Sequence, residues 1–262
     1  MAEQTTVVPT VVVWSGLDPG GQAGLAADLH VAQLLGAVTR MVLTARTAQN
    51  DQTWQTAWAT SNRERATVVA GLTLPRDGLA FKAGMLATRA HARALVRLAR
   101  QHPAAPLVVD PLLQSTSGGH LWLDGDLAGN AAFLREAVLP WTRVVTPNWP
   151  ELEALVGRTI GDEADLRAAL AELPCAAVVK GGHAPGALRG IDWVWERHGD
   201  HGKLTPLPAQ TLWQRSPRGT GCRLATALAI GLARGQTLVD AARAAKALVA
   251  HLAGGPGSTH GV

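Results

Sequence analysis

Residues 10–45 read TVVVWSGLDPGGQAGLAADLHVAQLLGAVTRMVLTA. The stretch opens on a β-branched apolar run, TVVVW (10–14), and passes through a glycine-rich turn. It then enters a segment where Leu25, Leu29, Ala32 and Leu35 recur at helical spacing, and closes on a second β-rich run, VTRMVLTA (38–45). Strand, helix and strand within 36 residues is the repeating unit of a parallel sheet. The same alternation continues downstream. LAFKAG (79–84) precedes the helical ATRAHARALVRLARQH, and PLVVD (106–110) is a further buried-strand candidate. TRVVTPN (142–148) leads into WPELEALVG, and AAVVKGGH (176–183) follows EADLRAALAEL. Near-continuous apolar strands separated by helices predict an α/β fold, with a mainly parallel central sheet covered by helices on both faces. Two extended runs around HGDHG, within 190–213, predict an antiparallel excursion or an edge hairpin. Two helices, 221–234 and about 237–252, and a loose tail, GGPGSTHGV, follow. No repeat or low-complexity linker divides the chain, so residues 1–262 read as one domain.

Composition narrows the function. Apolar residues make up 47% and charged residues 17%, an ordinary globular balance that argues against disorder. The net charge of +4 arises from 24 basic and 20 acidic side chains scattered along the chain. Without a Lys/Arg block or a basic stripe interleaved with aromatics, nucleic-acid binding is disfavoured, and an anionic small ligand fits the charge better. The N-terminus carries an acidic residue and no basic n-region, so no secretory signal is expected. No run approaches the roughly 18 apolar residues of a spanning helix, so no membrane association is expected. Two cysteines, Cys175 and Cys222, form neither a disulfide framework nor a metal-ligand spacing. A reduced, cytoplasmic protein is the expectation.

In open α/β sheets, ligands bind beyond the carboxyl ends of the strands. Here those positions carry SGLDPGGQAG, ARTAQND, AGML, DPLLQSTSGG, TPNWPE, KGGH and GTGC, most of them rich in Gly, Asp, Asn, Lys or Gln. Seven such loops predict a polar ligand site. The last one, within SPRGTGCRLATALAIGLARG (216–235), runs a glycine turn straight into a long apolar helix. A helix N-terminus without a capping side chain is suited to an anion; the alternative is a tight turn that simply caps a core helix. Neither a Walker A loop nor G-x-G-x-x-G is present, so a nucleotide site must be of another type.

Together SGLDPGGQAGLAADL, LGAVTRMVLTARTAQN, FKAGML, VVDPLLQSTSG, TPNWPELEALVG, VKGGH and RGTGCRLATALAIGLARG resemble the hydroxymethylpyrimidine/phosphomethylpyrimidine kinases of thiamine biosynthesis, within the ribokinase-like superfamily. The resemblance spans about residues 11–250. It implies a three-layer α/β/α ribokinase-like fold, ATP and Mg²⁺ as cofactors, a small-molecule substrate, and a homodimer. Gly219, Thr220 and Gly221 would supply backbone amides to the transferred phosphoryl group, which is stabilisation by preorganised donors. Cys222 would be the base that takes the substrate's hydroxyl proton. A helix N-terminus lowers a thiol pKa; a small buried residue filling space is the alternative. Asp28 and Gln49 would read the aminopyrimidine ring, lined by Gly16 and Ala23, with Met85 and Leu112 as apolar contacts. A solvated helix carboxylate at Asp28 and a plain core residue at Met85 are the competing readings. Asn148 and Glu151 would hold Mg²⁺ through water, and Lys180, with Asn148 and Arg218, would face the nucleotide phosphates.

Three positions depart from the family pattern. Gln22 replaces a glycine, Thr116 stands where a lysine is usual, and Arg218 where a histidine is usual. Residues 51–69 match poorly. The implied activity is phosphorylation of 4-amino-5-hydroxymethyl-2-methylpyrimidine and of its monophosphate. The departures and the shared hydroxymethyl chemistry leave two alternatives: a pyridoxine/pyridoxal kinase, or a non-catalytic sensor of the pyrimidine phosphate.

Overall fold

The computed structural model describes residues 7–50, 53–114, 119–199, 201–208 and 217–254. The opening unit folds as read, with β1 (Thr10–Leu17), α1 (Gly24–Leu34) and β2 (Val38–Gln49) in succession. The chain then makes β3 (Trp54–Ala59) and α2 (Asn62–Ala70) in the region that matches the family poorly. The next parallel strands and their helices are β4 (Leu79–Ala83), α3 (Arg89–Arg100), β5 (Leu107–Val109), α4 (Leu127–Phe133), β6 (Val144–Val145), α5 (Trp149–Val156), α6 (Glu163–Ala171) and β7 (Ala176–Val179). The hairpin expected within 190–213 is β8 (Asp192–His198) with β9 (His201–Leu207), paired antiparallel at the sheet's edge. The closing helices are α7 (Thr220–Ala233) and α8 (Leu238–Gly254). Thr116 and the tail beyond Gly254 lie outside the described residues.

Among the described residues nine strands form a single sheet in the order β3-β2-β1-β4-β5-β6-β7-β8-β9. The six central strands pair in parallel, and β3, β8 and β9 are antiparallel additions at the two edges. The central runs are apolar on both faces because both faces are covered. Val12 and Trp14 of β1, with Phe81, Val109 and Val145, pack into a core that includes Leu95, Leu134, Leu152 and Leu166 from the helices of one layer. Val11 and Val13, with Ala80, Val108 and Val144, pack against Val31 of α1, Leu228 of α7 and Ala242 of α8 on the other. This is the three-layer α/β/α arrangement. β1 pairs with both β2 and β4, so the chain reverses its direction of travel across the sheet at β1. Beyond the carboxyl ends of β1 and β4 lies the crevice where such folds bind ligands.

Candidate active site

Helix starts distinguish this crevice from the rest of the molecule. Helices α2 to α6 each begin behind a side chain that accepts a backbone N–H: Ser61, Thr88, Asp126, Asn148 and Asp162. Helices α1 and α7 begin on Ala23 and Gly219, and neither of these residues supplies a capping side chain. Gly219 sits at φ +76°, and a Cβ there would run into the Gln22 carbonyl oxygen, so only glycine lets the two loops meet. The loop after β1 is held by Asp18, whose Oδ1 accepts from the Gly20 amide at 3.3 Å and whose Oδ2 accepts from the Ala23 amide at 3.1 Å. Arg218 completes the junction. It lies 3.6 Å from Asp18 Oδ1 and donates to the Asn50 carbonyl at 2.9 Å, tying the end of β2 to the start of α7.

Two buried ion pairs stand beside the α7 start. Lys180, just past β7, donates to Asp110 Oδ1 at 2.7 Å and lies 3.6 Å from Glu151 Oε2. Burial works against the Lys180 ammonium, but Asp110 and Glu151 more than offset it and hold its pKa above the ordinary value. The Asn148–Glu151 pair is a capping box: each side chain accepts from the other's amide at 2.8 Å. Burial pushes Glu151 up to about 7, against the pull of Lys180. A Cβ on Gly221 would lie 3.2 Å from Lys180 Nζ and 3.3 Å from Asp110 Oδ2, so the helix start faces this pair directly. Asp110 Oδ2 is buried and accepts from nothing among the described residues.

The second pair is deeper. Lys82, in the middle of β4, donates to Asp28 Oδ1 at 2.8 Å, and Thr226 Oγ1 donates to the same oxygen at 2.7 Å. Asp28 Oδ2 is buried without a partner. Asp28 is therefore no solvated helix carboxylate: one oxygen is tied and the other has no partner among the described residues. Cys222 is buried beside this pair, and burial pushes its thiol up, outweighing the Lys82 ammonium and the Gly24 amide that pull it down. The lowering expected from a helix N-terminus alone is thus overridden by desolvation.

The remaining sequence candidates lie at or beyond the carboxyl ends of β1, β2, β4 and β5. A Cβ on Gly16 would lie 2.8 Å from Met85 Sδ, so the glycine lets the thioether approach β1. Met85 is buried with Ala45, Ala87 and Leu121, and Leu112 packs against that cluster. Gln49 donates to Thr47 Oγ1 at 3.0 Å, and its Oε1 is buried without a partner. A groove of about 730 Å³ elsewhere, at the amino ends of β5 and β6, is lined by Arg100, Pro106, Trp141 and Arg143 and holds none of these residues.

The phosphomethylpyrimidine kinase family model matches residues 18–258. The chain belongs to the phosphomethylpyrimidine kinase family. The hydroxymethylpyrimidine/phosphomethylpyrimidine kinase of Streptomyces coelicolor is 37% identical over 245 residues, covering 92% of this chain and 87% of that protein. Among solved structures, a phosphomethylpyrimidine kinase from Clostridium difficile superposes with a TM-score of 0.74 at 25% identity, covering 94% of this chain and 99% of that one. A pyridoxal kinase from Staphylococcus aureus in complex with AMP-PCP superposes at 0.77, also at 25% identity, covering 93% and 87%. The ribokinase-like expectation therefore holds across the sheet, the crevice and both flanking layers.

The fold brings Gly221 and the start of α7, Lys180, Asn148 and Glu151 to one end of the sheet. The motifs did not single out Lys82, Asp110 or Thr226. Their signals were a lysine inside the apolar strand LAFKA, an aspartate closing PLVVD, and a threonine one turn beyond Cys222.

Proposed function

We infer that this chain is an ATP-dependent kinase that phosphorylates the hydroxymethyl group of 4-amino-5-hydroxymethyl-2-methylpyrimidine, and then the resulting monophosphate to the pyrophosphate used in thiamine biosynthesis. The observation that carries this reading is the start of α7 on Gly219, an N-cap residue that supplies no capping side chain, facing Lys180, within a chain that matches the family over residues 18–258. Amides at an uncapped helix start offer fixed partial positive charge to a phosphoryl group in flight, and phosphoryl transfer depends mostly on such positioning. Gly219, Thr220 and Gly221 supply that cradle. Lys180 trades part of its contact with Asp110 for a phosphate oxygen. Arg218 adds charge at the rim while bracing the loop. Asp28 Oδ2 and Gln49 Oε1, buried acceptors without partners among the described residues, would take the N–H donors of an aminopyrimidine.

Asn148 and Glu151 would hold Mg²⁺. Their capping box occupies an oxygen of each, so contact through water fits this donor set, and Mg²⁺ keeps its waters readily. Bound there, the ion would neutralise phosphate charge. Cys222, as thiolate, takes the hydroxyl proton in the first step. In the second step the acceptor is already an anionic phosphate and needs less help from a base. The reading takes the chain as one kinase domain acting in the cytoplasm as a homodimer, the form the resemblance implies.

A coupled ATP-consumption assay with Mg²⁺ tests it, run on the hydroxymethylpyrimidine, its monophosphate and pyridoxal, with products resolved by mass. Turnover of both pyrimidines is expected. Turnover of pyridoxal alone would assign the chain to vitamin B6 phosphorylation. Ligand binding with no ATP consumed would make it a sensor.

A further inference from the structure

The Lys82–Asp28 pair poses a question of its own. Both side chains have 0% exposure, in a layer otherwise filled by Val11, Val13, Val31 and Ala80. Replacing such a pair by well-packed apolar residues is often neutral or stabilising, so stability alone gives no reason for it. Its position does. On α1, Gly24 and Asp28 are one turn apart; on α7, Cys222 and Thr226 are one turn apart. The helices meet rung against rung. Thr226 Oγ1 donates to Asp28 Oδ1 at 2.7 Å, which joins the lower rung, and Gly24 and Cys222 stand one turn above it. Lys82 reaches the lower rung from the sheet, through space that Gly84 leaves open: a Cβ there would lie 2.7 Å from Lys82 Nζ.

We propose that the buried Lys82–Asp28 pair is a positioning element that sets the charge state of Cys222. This deepens the kinase reading and rests on it for its catalytic meaning. Four charged groups face Cys222: Asp28 on α1, Lys82 on β4, Asp110 beyond β5 and Lys180 beyond β7. Lys180 and Asp110 neutralise each other at 2.7 Å. Lys82 favours the thiolate and Asp28 opposes it, so the deep pair brings a charge and its counterweight to the same sulfur. A lysine alone would trap the thiolate as its permanent counter-ion. An aspartate alone would forbid it. Burial keeps Cys222 protonated at rest, and the pair, in which the pull of Lys82 exceeds the push of Asp28, leaves it able to exchange its proton when a substrate ligates Asp28 Oδ2, an oxygen without a partner among the described residues.

The test reads the thiol directly, with neither ATP nor pyrimidine present, so a failed substrate assignment leaves it intact. Full-length protein is alkylated with iodoacetamide across a pH series, and modification of Cys222 is followed by peptide mass. The quantity read is the pH midpoint; a merely loosened structure relieves burial and lowers it, so the rise in Lys82→Met is the outcome that loosening does not produce. Asp28→Asn is expected to lower the midpoint by about one unit or more, and Lys82→Met to raise it by a similar amount. The double variant Lys82→Met/Asp28→Leu is expected to return it close to the starting value. Thr226→Val, which keeps both charges, is expected to leave it in place. If Lys82→Met does not fold, Asp28→Asn and the double variant carry the test. A shift of both single variants in the same direction overturns the proposal. So does an unmoved midpoint in Asp28→Asn.

Discussion

Two lysine–aspartate pairs flank the start of α7 at nearly equal length, 2.8 Å for Lys82–Asp28 and 2.7 Å for Lys180–Asp110. They differ in access. Neither side chain of the first reaches solvent, whereas the Lys180 side chain keeps 18% of its surface open at the crevice. Contact length therefore says little about what each pair does. Inside the layer, with no water to screen it, an ion pair is a fixed charge arrangement. At the crevice, the same contact can be exchanged for a phosphate oxygen, because the lysine head needs only a small movement and solvent already reaches it. On the proposed reading the sealed pair holds a fixed charge beside Cys222 and offers only Asp28 Oδ2 to the substrate, whereas the open pair exchanges its contact for a phosphate.

The largest effect should come from breaking the open pair. Lys180→Met removes the point charge proposed to meet the phosphates, and loss of a preformed charge-stabilising donor typically costs on the order of 10²–10³ in rate. Steady-state kinetics with the pyrimidine and varied ATP would read this as a fall in kcat together with a rise in the ATP KM. Near-normal turnover would show that Lys180 is as structural as Lys82 and would erase the distinction between the pairs.

A smaller effect lies between the two pairs, at Cys222. If it serves as base, Cys222→Ala should slow phosphorylation of the alcohol by roughly 10²-fold, the lower range for general-base catalysis. The second step should lose far less, since its acceptor needs little deprotonation. Separate turnover measurements on the alcohol and on the monophosphate give the ratio. Equal loss in both steps would return Cys222 to the space-filling role and leave the sealed pair without a partner to tune.

What was legible in the sequence follows the same division between local and long-range. The parallel strands announced themselves because each is a short apolar run buried on both faces, and the edge hairpin because its turn is rich in Gly and His. β3 and α2 were missed. WQTAWA is a half-exposed antiparallel edge strand with no apolar run, although the capping box of Ser61 with Glu64 marked the helix behind it. At the site, single-loop features such as GTGC and NWPE could be read directly. Lys82, Asp110 and Thr226 could not, since each matters through a residue far along the chain. Lys82 and Thr226 meet Asp28 across 54 and 198 positions, and Lys180 meets Asp110 across 70. Those meetings are products of the sheet order, which places β4 beside β1 and stacks α7 on α1.

The smallest effect sharpens the comparison from the open side. Glu151 stands 3.6 Å from Lys180, so the open pair is in fact a triad with two carboxylates competing for one lysine. Burial raises the Glu151 carboxyl from 4.5 to about 7. The folded state then binds more protons than the unfolded state between those values, and stability falls as pH rises through that window. The contribution is complete below pH 4.5 and gone above about 7, with a slope of at most about 1.4 kcal/mol per pH unit. Glu151→Gln keeps an oxygen to accept the Asn148 amide but does not titrate. Urea unfolding measured across this window should show the variant gaining on the parent protein as pH rises, then holding its lead. Parallel curves would mean that Glu151 is already ionised at the low end, held there by Lys180. The crevice lysine would then be bound to its two carboxylates as firmly as Lys82 is to Asp28, with less freedom to reach a phosphate.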